Sequence, residues 1–209
     1  MPTEVAIPSP PDAGTKARRT HDALLDAMER LLDEGGYPAA TSTAVATEAG
    51  LSVGTFYAYF ADRDEALAAL FARRLDGLIG TVDAALTTDA LLDDGLEVVL
   101  ERVLDVVLDG YGRHASAFRA ALVQLPSSPP IAAVYWDRHR RSAELIATFL
   151  RRAQAAGAVR DGDADVLAQA LLVLMQGTNT PVLLAQPRAR RTRAIRAELV
   201  RTLLALLGS

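Results

Sequence analysis

Apolar residues along this chain recur at intervals of three and four rather than two. From Thr15 to about Glu34, Leu24, Leu25, Met28, Leu31 and Leu32 fall on one stripe, which predicts an amphipathic helix stopped by Gly35 and Gly36. Leu67, Leu70, Phe71, Leu75 and Leu78 mark another, from Asp62 to about Ile79, opened by Asp62 and Glu65 at capping-box spacing. Thr87, Thr88 and Asp89 mark a loop and a new start. Leu92, Leu96, Val99, Val103, Val106 and Val107 then predict one long helix to about Asp109, interrupted at Gly110 and Gly112. A short helix over 115–125 follows, PSSPP at 126–130 breaks the chain, and 131–156 have the pattern of a major bundle helix ending at Gly157. Helices over about 163–185 and 189–207 complete the chain, and no segment sustains the alternation of a strand. The expected fold class is all-α. Residues 1–14 contain Pro2, Pro8, Pro10 and Pro11 without periodicity and read as a flexible arm.

Residues 41–60, TSTAVATEAGLSVGTFYAYF, predict two short helices joined by a tight turn. Thr41 can cap the first by accepting a bond from an orphan backbone N–H, Gly50 can end it in the left-handed conformation, and Ser52 can cap the second. Two helices joined by three or four residues with a Gly in the turn make a helix-turn-helix, whose second helix enters the DNA major groove. In that second helix Phe56 and Phe60, four apart, share the inward face. The other face offers Val53, Gly54, Thr55, Tyr57 and Tyr59, small or hydroxylated groups suited to phosphate oxygens and base edges. The competing account is a helical hairpin in a bundle core, with TFYAYF as ordinary aromatic packing.

Residues 45–67, VATEAGLSVGTFYAYFADRDEAL, resemble the tetracycline-repressor (TetR) family of bacterial transcriptional regulators. The shared pattern is apolar-Ala, then Ala-Gly-apolar-Ser, Gly-Thr-apolar-Tyr, Tyr-Phe, and a basic residue at a helix start. Two departures keep charge and bulk: Arg63 replaces the frequent Lys, and Val45 the commoner Ile. The resemblance covers about the first 70 residues; beyond them the chain fits the family in length and helical character. It implies an N-terminal three-helix DNA-binding domain over 15–62, a connecting helix over 63–80, and a C-terminal helical-bundle domain over 81–209 for ligand binding and dimerisation. In such proteins the connecting helix resets the separation of the two reading heads. The residues assigned to DNA are Lys16, Arg18, Arg19, Thr41, Thr43, Ser52, Val53, Gly54, Thr55, Tyr57, Tyr59 and Arg63. For the basic residues of the first helix, a solvated helix start is the alternative.

Charge complicates the DNA reading. The chain has a net charge of −4, and residues 1–80 hold seven Lys and Arg against twelve Asp and Glu, where a basic patch is the usual footprint. The positions soften this, because Lys16, Arg18 and Arg19 precede the first helix's acids and Arg63 follows the recognition helix. Composition narrows the rest. With 209 residues, half of them apolar, the chain can bury a substantial core, and with no cysteine it has no disulfide, thiolate nucleophile or Cys-based zinc site. The opening MPTEVAIPSPPDAG lacks the basic and apolar regions of a signal peptide, and no apolar run approaches the roughly 18 residues of a membrane span. A soluble, cytoplasmic protein without membrane partners is expected.

In the C-terminal part, DGDAD at 161–165 resembles the opening of a calcium loop, but Val166 replaces the loop's Gly and Leu172 its final Glu, so a helix start capped by Asp163 or Asp161 is the better reading. The following VLAQALLVLMQG is apolar nearly all round and needs cover on two sides. A second subunit is the simplest cover for one of them, with Leu171, Leu174, Ile195, Leu199 and Leu203 at a homodimer interface; a buried monomeric helix is the alternative. Large soft side chains at Tyr111, Phe118, Tyr135, Trp136, Phe149 and Met175, with Gln124, Gln176 and Asn179 as orienting polar groups, are candidates for a small-molecule effector site, or for plain core. The run RARRTRAIR at 188–196 reads as the solvated start of the last helix, with a surface or ligand-side role left open. No cofactor or metal is implied. His21, His114 and His139 are widely spaced, with no phosphate loop and no Ser-centred elbow, so the rival readings are a bundle enzyme using a carboxylate or a ligand-independent architectural DNA binder.

Overall fold

The computed structural model describes residues 10–183 and 189–208, with the side chains of 178–193 outside the description. Residues 1–9 of the proline-rich arm, the Asn179 side chain and the arginine run's side chains up to residue 193 therefore lie outside the described residues. Among the described residues there are ten helices and no strand: α1 Lys16–Ala39, α2 Ser42–Glu48, α3 Val53–Tyr59, α4 Arg63–Ala85, α5 Thr88–Asp94, α6 Leu96–Arg113, α7 Ala115–Gln124, α8 Pro129–Ala155, α9 Ala164–Leu183 and α10 Ala189–Leu207. No described helix is long and apolar enough to cross a membrane.

The chain divides into two compact units. One takes residues up to Leu75 together with His114–Arg138, and the other Asp76–Arg113 with His139 onward, so that α4 and α8 each contribute to both. In the first unit Leu24, Leu25, Met28 and Leu32 of α1 are buried with Val45, Phe56, Phe60, Leu67, Leu70 and Phe71. The α7 helix joins them, with Phe118 set edge-on to Phe71 at 5.8 Å between ring centroids. Gly36 leaves helical geometry at φ 67°, as the double glycine predicts, and Tyr37–Ala39 add one further turn. At the start of α4 the Asp62 carboxylate accepts from the Glu65 N–H at 2.9 Å, and Glu65 reaches back to the Ala61 N–H, one residue earlier than in a regular capping box.

In the second unit, Leu91, Val99 and Leu100 pack with Phe149, Leu150, Val159, Leu167, Leu171, Leu203 and Leu207. Asp163 caps α9, its carboxylate accepting from the N–H groups of Asp165 and Val166, which accounts for DGDAD as a helix start. The Arg160 guanidinium donates to the Leu206 carbonyl at 2.7 Å, and its backbone N–H to that of Leu207 at 2.9 Å. Arg160 thus meets two orphan carbonyls at the negative end of α10, one with its cationic side chain and one with its backbone N–H.

Three expected boundaries are corrected. The α4 helix runs through Gly77 and Gly80 to Ala85 instead of ending near Ile79. The single helix expected over 89–109 is two, because Gly95 turns left-handed at φ 85° between α5 and α6. Gly110 and Gly112 do not interrupt α6, which continues to Arg113. Gly110 serves close packing instead: a Cβ there would lie 2.7 Å from the Leu78 Cδ1 atom. An absent side chain lets α4 and α6 approach, at the usual cost of a glycine within a helix.

Candidate nucleic-acid interface

The 41–60 stretch closes each of its helices with its own residues. Thr41 Oγ1 accepts from the Ala44 N–H and Ser52 Oγ from the Thr55 N–H, both at 3.1 Å. Between them Gly50 adopts φ 69°. The Leu51 N–H then donates to the Ala46 carbonyl at 2.9 Å and the Gly50 N–H to that of Thr47 at 3.0 Å, the paired bonds of a Schellman end. Phe56 is fully buried and Phe60 nearly so, their ring centroids 5.6 Å apart, which fixes the face of α3 that turns outward.

That outer face carries most of the residues assigned to DNA. Ser52, Gly54, Thr41 and Thr43 are exposed, as are Val53 at 42% and Tyr57 at 56%, while Thr55 is half-buried. Ser52 Oγ and Thr55 Oγ1 lie 2.9 Å apart. One of their two hydroxyl hydrogens joins the pair and the other is left for an acceptor outside the protein. Tyr59 is half-withdrawn toward His21. Arg63 lays its guanidinium over the Tyr37 ring, 4.3 Å from the centroid, and Tyr37 donates its hydroxyl to Asp64. Burial, then that bond to a carboxylate, pushes the Tyr37 phenol well above its ordinary range. The ring is therefore a neutral platform for Arg63.

Four acids of this region are paired with bases of the same unit. Asp22 takes Arg18 at 2.8 Å, Asp26 takes Arg73 at 2.7 Å and Glu48 takes Arg30 at 2.6 Å. Glu29 accepts from Nε and Nη2 of Arg74 and lies 2.8 Å from His114 Nδ1. Burial opposes ionisation of Glu29, but the Arg74 and His114 contacts outweigh it and hold the carboxyl below the usual range. These four acids are tied to the scaffold, whereas Asp12, Asp33, Glu34 and Asp62 stay exposed. Lys16 and Arg19 stay exposed at the start of α1, where Arg19 donates to the Gly14 carbonyl. Arg18 is tied to Asp22, which fixes its guanidinium without removing its charge. The ties through Arg30, Tyr37, Glu29 and His21 escape a sequence reading, since each joins residues on different helices and leaves no local periodic signal.

The nine residues considered for an effector are dispersed. Phe118, Gln124, Tyr135 and Trp136 belong to the first unit, Tyr111, Phe149, Met175, Gln176 and Asn179 to the second. Phe118 is a core residue, and Trp136 is 61% exposed with Tyr135 edge-on to it at 5.0 Å. The Gln176 amide donates to His139 Nδ1 at 3.1 Å, and His139 Nε2 lies 3.2 Å from Gln169 Oε1, so the imidazole carries its hydrogen on Nε2. A cleft of about 480 Å3 opens within the second unit between α4 residues Asp76, Ile79, Gly80 and Asp83 and α8 residues Arg141, Glu144, Leu145, Thr148, Phe149 and Arg152, with Leu86 at one end. Arg141 bonds Asp76 at 3.1 Å. Of the eight whose side chains are described, only Phe149 lines this cleft. Its volume is in the range of small-molecule sites. Of the residues considered for an interface between copies, Leu171 and Leu203 lie in the chain's own core, Leu199 is half-buried, and Leu174 and Ile195 are exposed.

Residues 24–70 match the family described as bacterial regulatory proteins, tetR family, and residues 94–208 the C-terminal domain of AefR-like transcriptional repressors. The HTH-type transcriptional repressor KstR of Mycolicibacterium smegmatis is 33% identical over 84 residues, 40% of this chain and 41% of that protein, so the match spans less than half of this relative. A TetR transcription regulator from Haloarcula marismortui has the same fold, with a TM-score of 0.76 and 20% identity over 91% of this chain and 99% of the other. SmeT, repressor of the Stenotrophomonas maltophilia multidrug efflux pump SmeDEF, is likewise similar in its complex with triclosan, with a TM-score of 0.70 and 20% identity over 91% and 92% of the two chains.

Proposed function

The chain belongs to the TetR family of bacterial regulatory proteins, and on that premise we propose that it is a cytoplasmic homodimeric repressor, released from a near-palindromic operator by a small, largely apolar molecule. The observation that carries the DNA reading is the doubly capped turn at 49–52, which buries Phe56 and leaves Val53 and Tyr57 exposed with Thr55 half-buried beside them. Residues 15–62 form the reading head, 63–80 the connecting helix and 81–209 the part that binds the effector and a second copy. Selection from random duplexes at moderate salt tests this: enrichment of an inverted repeat is expected, and absence of any sequence preference would overturn it. With the selected operator, Tyr57→Phe should weaken binding to every sequence alike, since a phosphate contact carries no base information, whereas substitutions at Val53 or Thr55 should change which bases are preferred. An equal loss on all sequences from both kinds of substitution would contradict this division of roles.

The effector reading draws support from the cleft beside Phe149 and from SmeT, a protein of the same fold that was solved with triclosan. A ligand that favours mis-spaced heads must itself be weakened by operator DNA to the same degree, typically about 1–3 kcal/mol. A compound bound to the second unit whose affinity is unchanged by saturating operator is therefore no inducer. The dimer reading is supported by α9, which leaves Val166, Val173 and Leu174 exposed, and by α10, which leaves Ile195 exposed.

A further inference from the structure

His21 is 8% exposed in α1 and is the chain's one buried histidine among the described residues. Its ring lies 5.2 Å from that of Phe60 and 6.3 Å from that of Tyr59, centroid to centroid. These two residues are the last turn and the cap of α3, so the imidazole is part of the surface on which the outward-facing helix rests. We infer that His21 is a positioning residue, seating the DNA-reading helix only while its imidazole is uncharged, and that acidification therefore loosens the reading head.

The argument is one of charge balance in a confined space. The charged and titratable groups facing His21 are Asp22 and Arg18 from α1, Arg73 from α4 and the Tyr59 phenol from α3. Asp22, 3.5 Å from the imidazole Nδ1, is the one carboxylate in reach. It already receives Arg18 at 2.8 Å and stands 3.9 Å from Arg73, which also holds Asp26 at 2.7 Å. Two guanidinium groups and two carboxylates thus balance while His21 is neutral. A proton makes a third cation, packed beside two aromatic rings, and the one carboxylate within reach among the described residues is already shared. Burial lowers the affinity of His21 for that proton, and the bond to Asp22 restores only part of it. With its native value depressed, the group costs stability progressively as pH falls below the ordinary 6.5 of an unfolded histidine and on through the lower folded value. Only heads with α3 seated present Tyr57 and Val53 together, so a proton at His21 subtracts from the binding-competent population.

The sign separates this from ordinary electrostatics. Protonating a protein normally adds positive charge and strengthens its hold on DNA. His114 lies 2.8 Å from Glu29, which Arg74 also holds, and His139 lies between two glutamines in the other unit, so neither touches α3.

The inference rests on α3 being the helix that meets DNA, and the experiment separates the two claims. Affinity of the full-length protein for its selected operator is measured from about pH 7.5 to about pH 5.5 at constant ionic strength, for the native chain, His21→Phe and His21→Gln. A several-fold loss on acidification is expected for the native chain, with His21→Phe, whose ring keeps the packing, flat or tightening. An equal acid loss in the folded variants, or none in the native chain, overturns the inference. Independently of DNA, the His21 imidazole is titrated by NMR in the full-length protein, its resonance assigned by its absence from His21→Phe. A midpoint at or above 6.5 overturns the inference whatever DNA does, whereas lack of any sequence preference at neutral pH overturns the reading of α3 alone.

Discussion

Replacing Phe56 by alanine is expected to cost roughly 3–5 kcal/mol and to abolish operator binding, the largest loss from any single truncation in the reading head. The side chain is fully buried and touches the rings of Tyr57 and Phe60 at 5.5 and 5.6 Å. Removing it leaves a void beneath a helix of only seven residues, too short to hold its shape without packing. The neighbouring Tyr57→Ala provides the contrast, because that side chain is 56% exposed and its loss should cost only about 0.5–1.5 kcal/mol, the worth of its edge contact with Phe56, while still weakening DNA binding. Urea unfolding of both variants decides the matter. If Phe56→Ala unfolds at the native midpoint, the packing account of how α3 is held is wrong.

The second large effect concerns the proposed dimer. Val173 and Leu174 are 64% and 39% exposed, so an aspartate at either position costs the folded chain little, yet it would be buried without a partner between two copies. Val173→Asp and Leu174→Asp are expected to sediment as monomers that stay folded and lose on the order of a hundredfold or more in operator affinity, the gain that linking two binding heads supplies. Leu171→Asp behaves differently: at 7% exposure in the chain's own core it should unfold the second unit outright. Folded, dimeric Val173→Asp and Leu174→Asp would place the contact between copies elsewhere.

Much of this architecture is written in short-range chemistry, which is why it can be read along the chain. The caps at Thr41, Ser52, Thr87 and Asp163 each satisfy an N–H two or three residues away, and Gly36, Gly50 and Gly157 turn left-handed where they end a periodic run. Gly95 escapes the same logic because Leu92 and Leu96 keep helical spacing across it, so periodicity continues where the backbone does not. Gly110 misleads in the opposite direction, since its role depends on Leu78, a residue 32 positions earlier that comes close only in the folded unit. The same limit applies to apolar faces. Leu171 and Leu203 are recognisably buried, but periodicity is silent about whether the cover is the same chain or another. Aromatic content cannot separate Phe118, which is core, from Trp136, which is surface.

The brevity of α3 bears on how an operator must be written. Seven residues rise about 10 Å along the helix axis, and base pairs stack about 3.4 Å apart, so one head can interrogate only about three consecutive pairs directly. Against the roughly 10⁶–10⁹ competing sites of a genome, so short a word is repeated far too often to be an address. In the proposed dimer, selectivity is assembled from two such words at a fixed spacing and from the stiffness and groove width of the bases between them. Bases at the centre of the site should therefore matter to affinity although the protein never reads their edges.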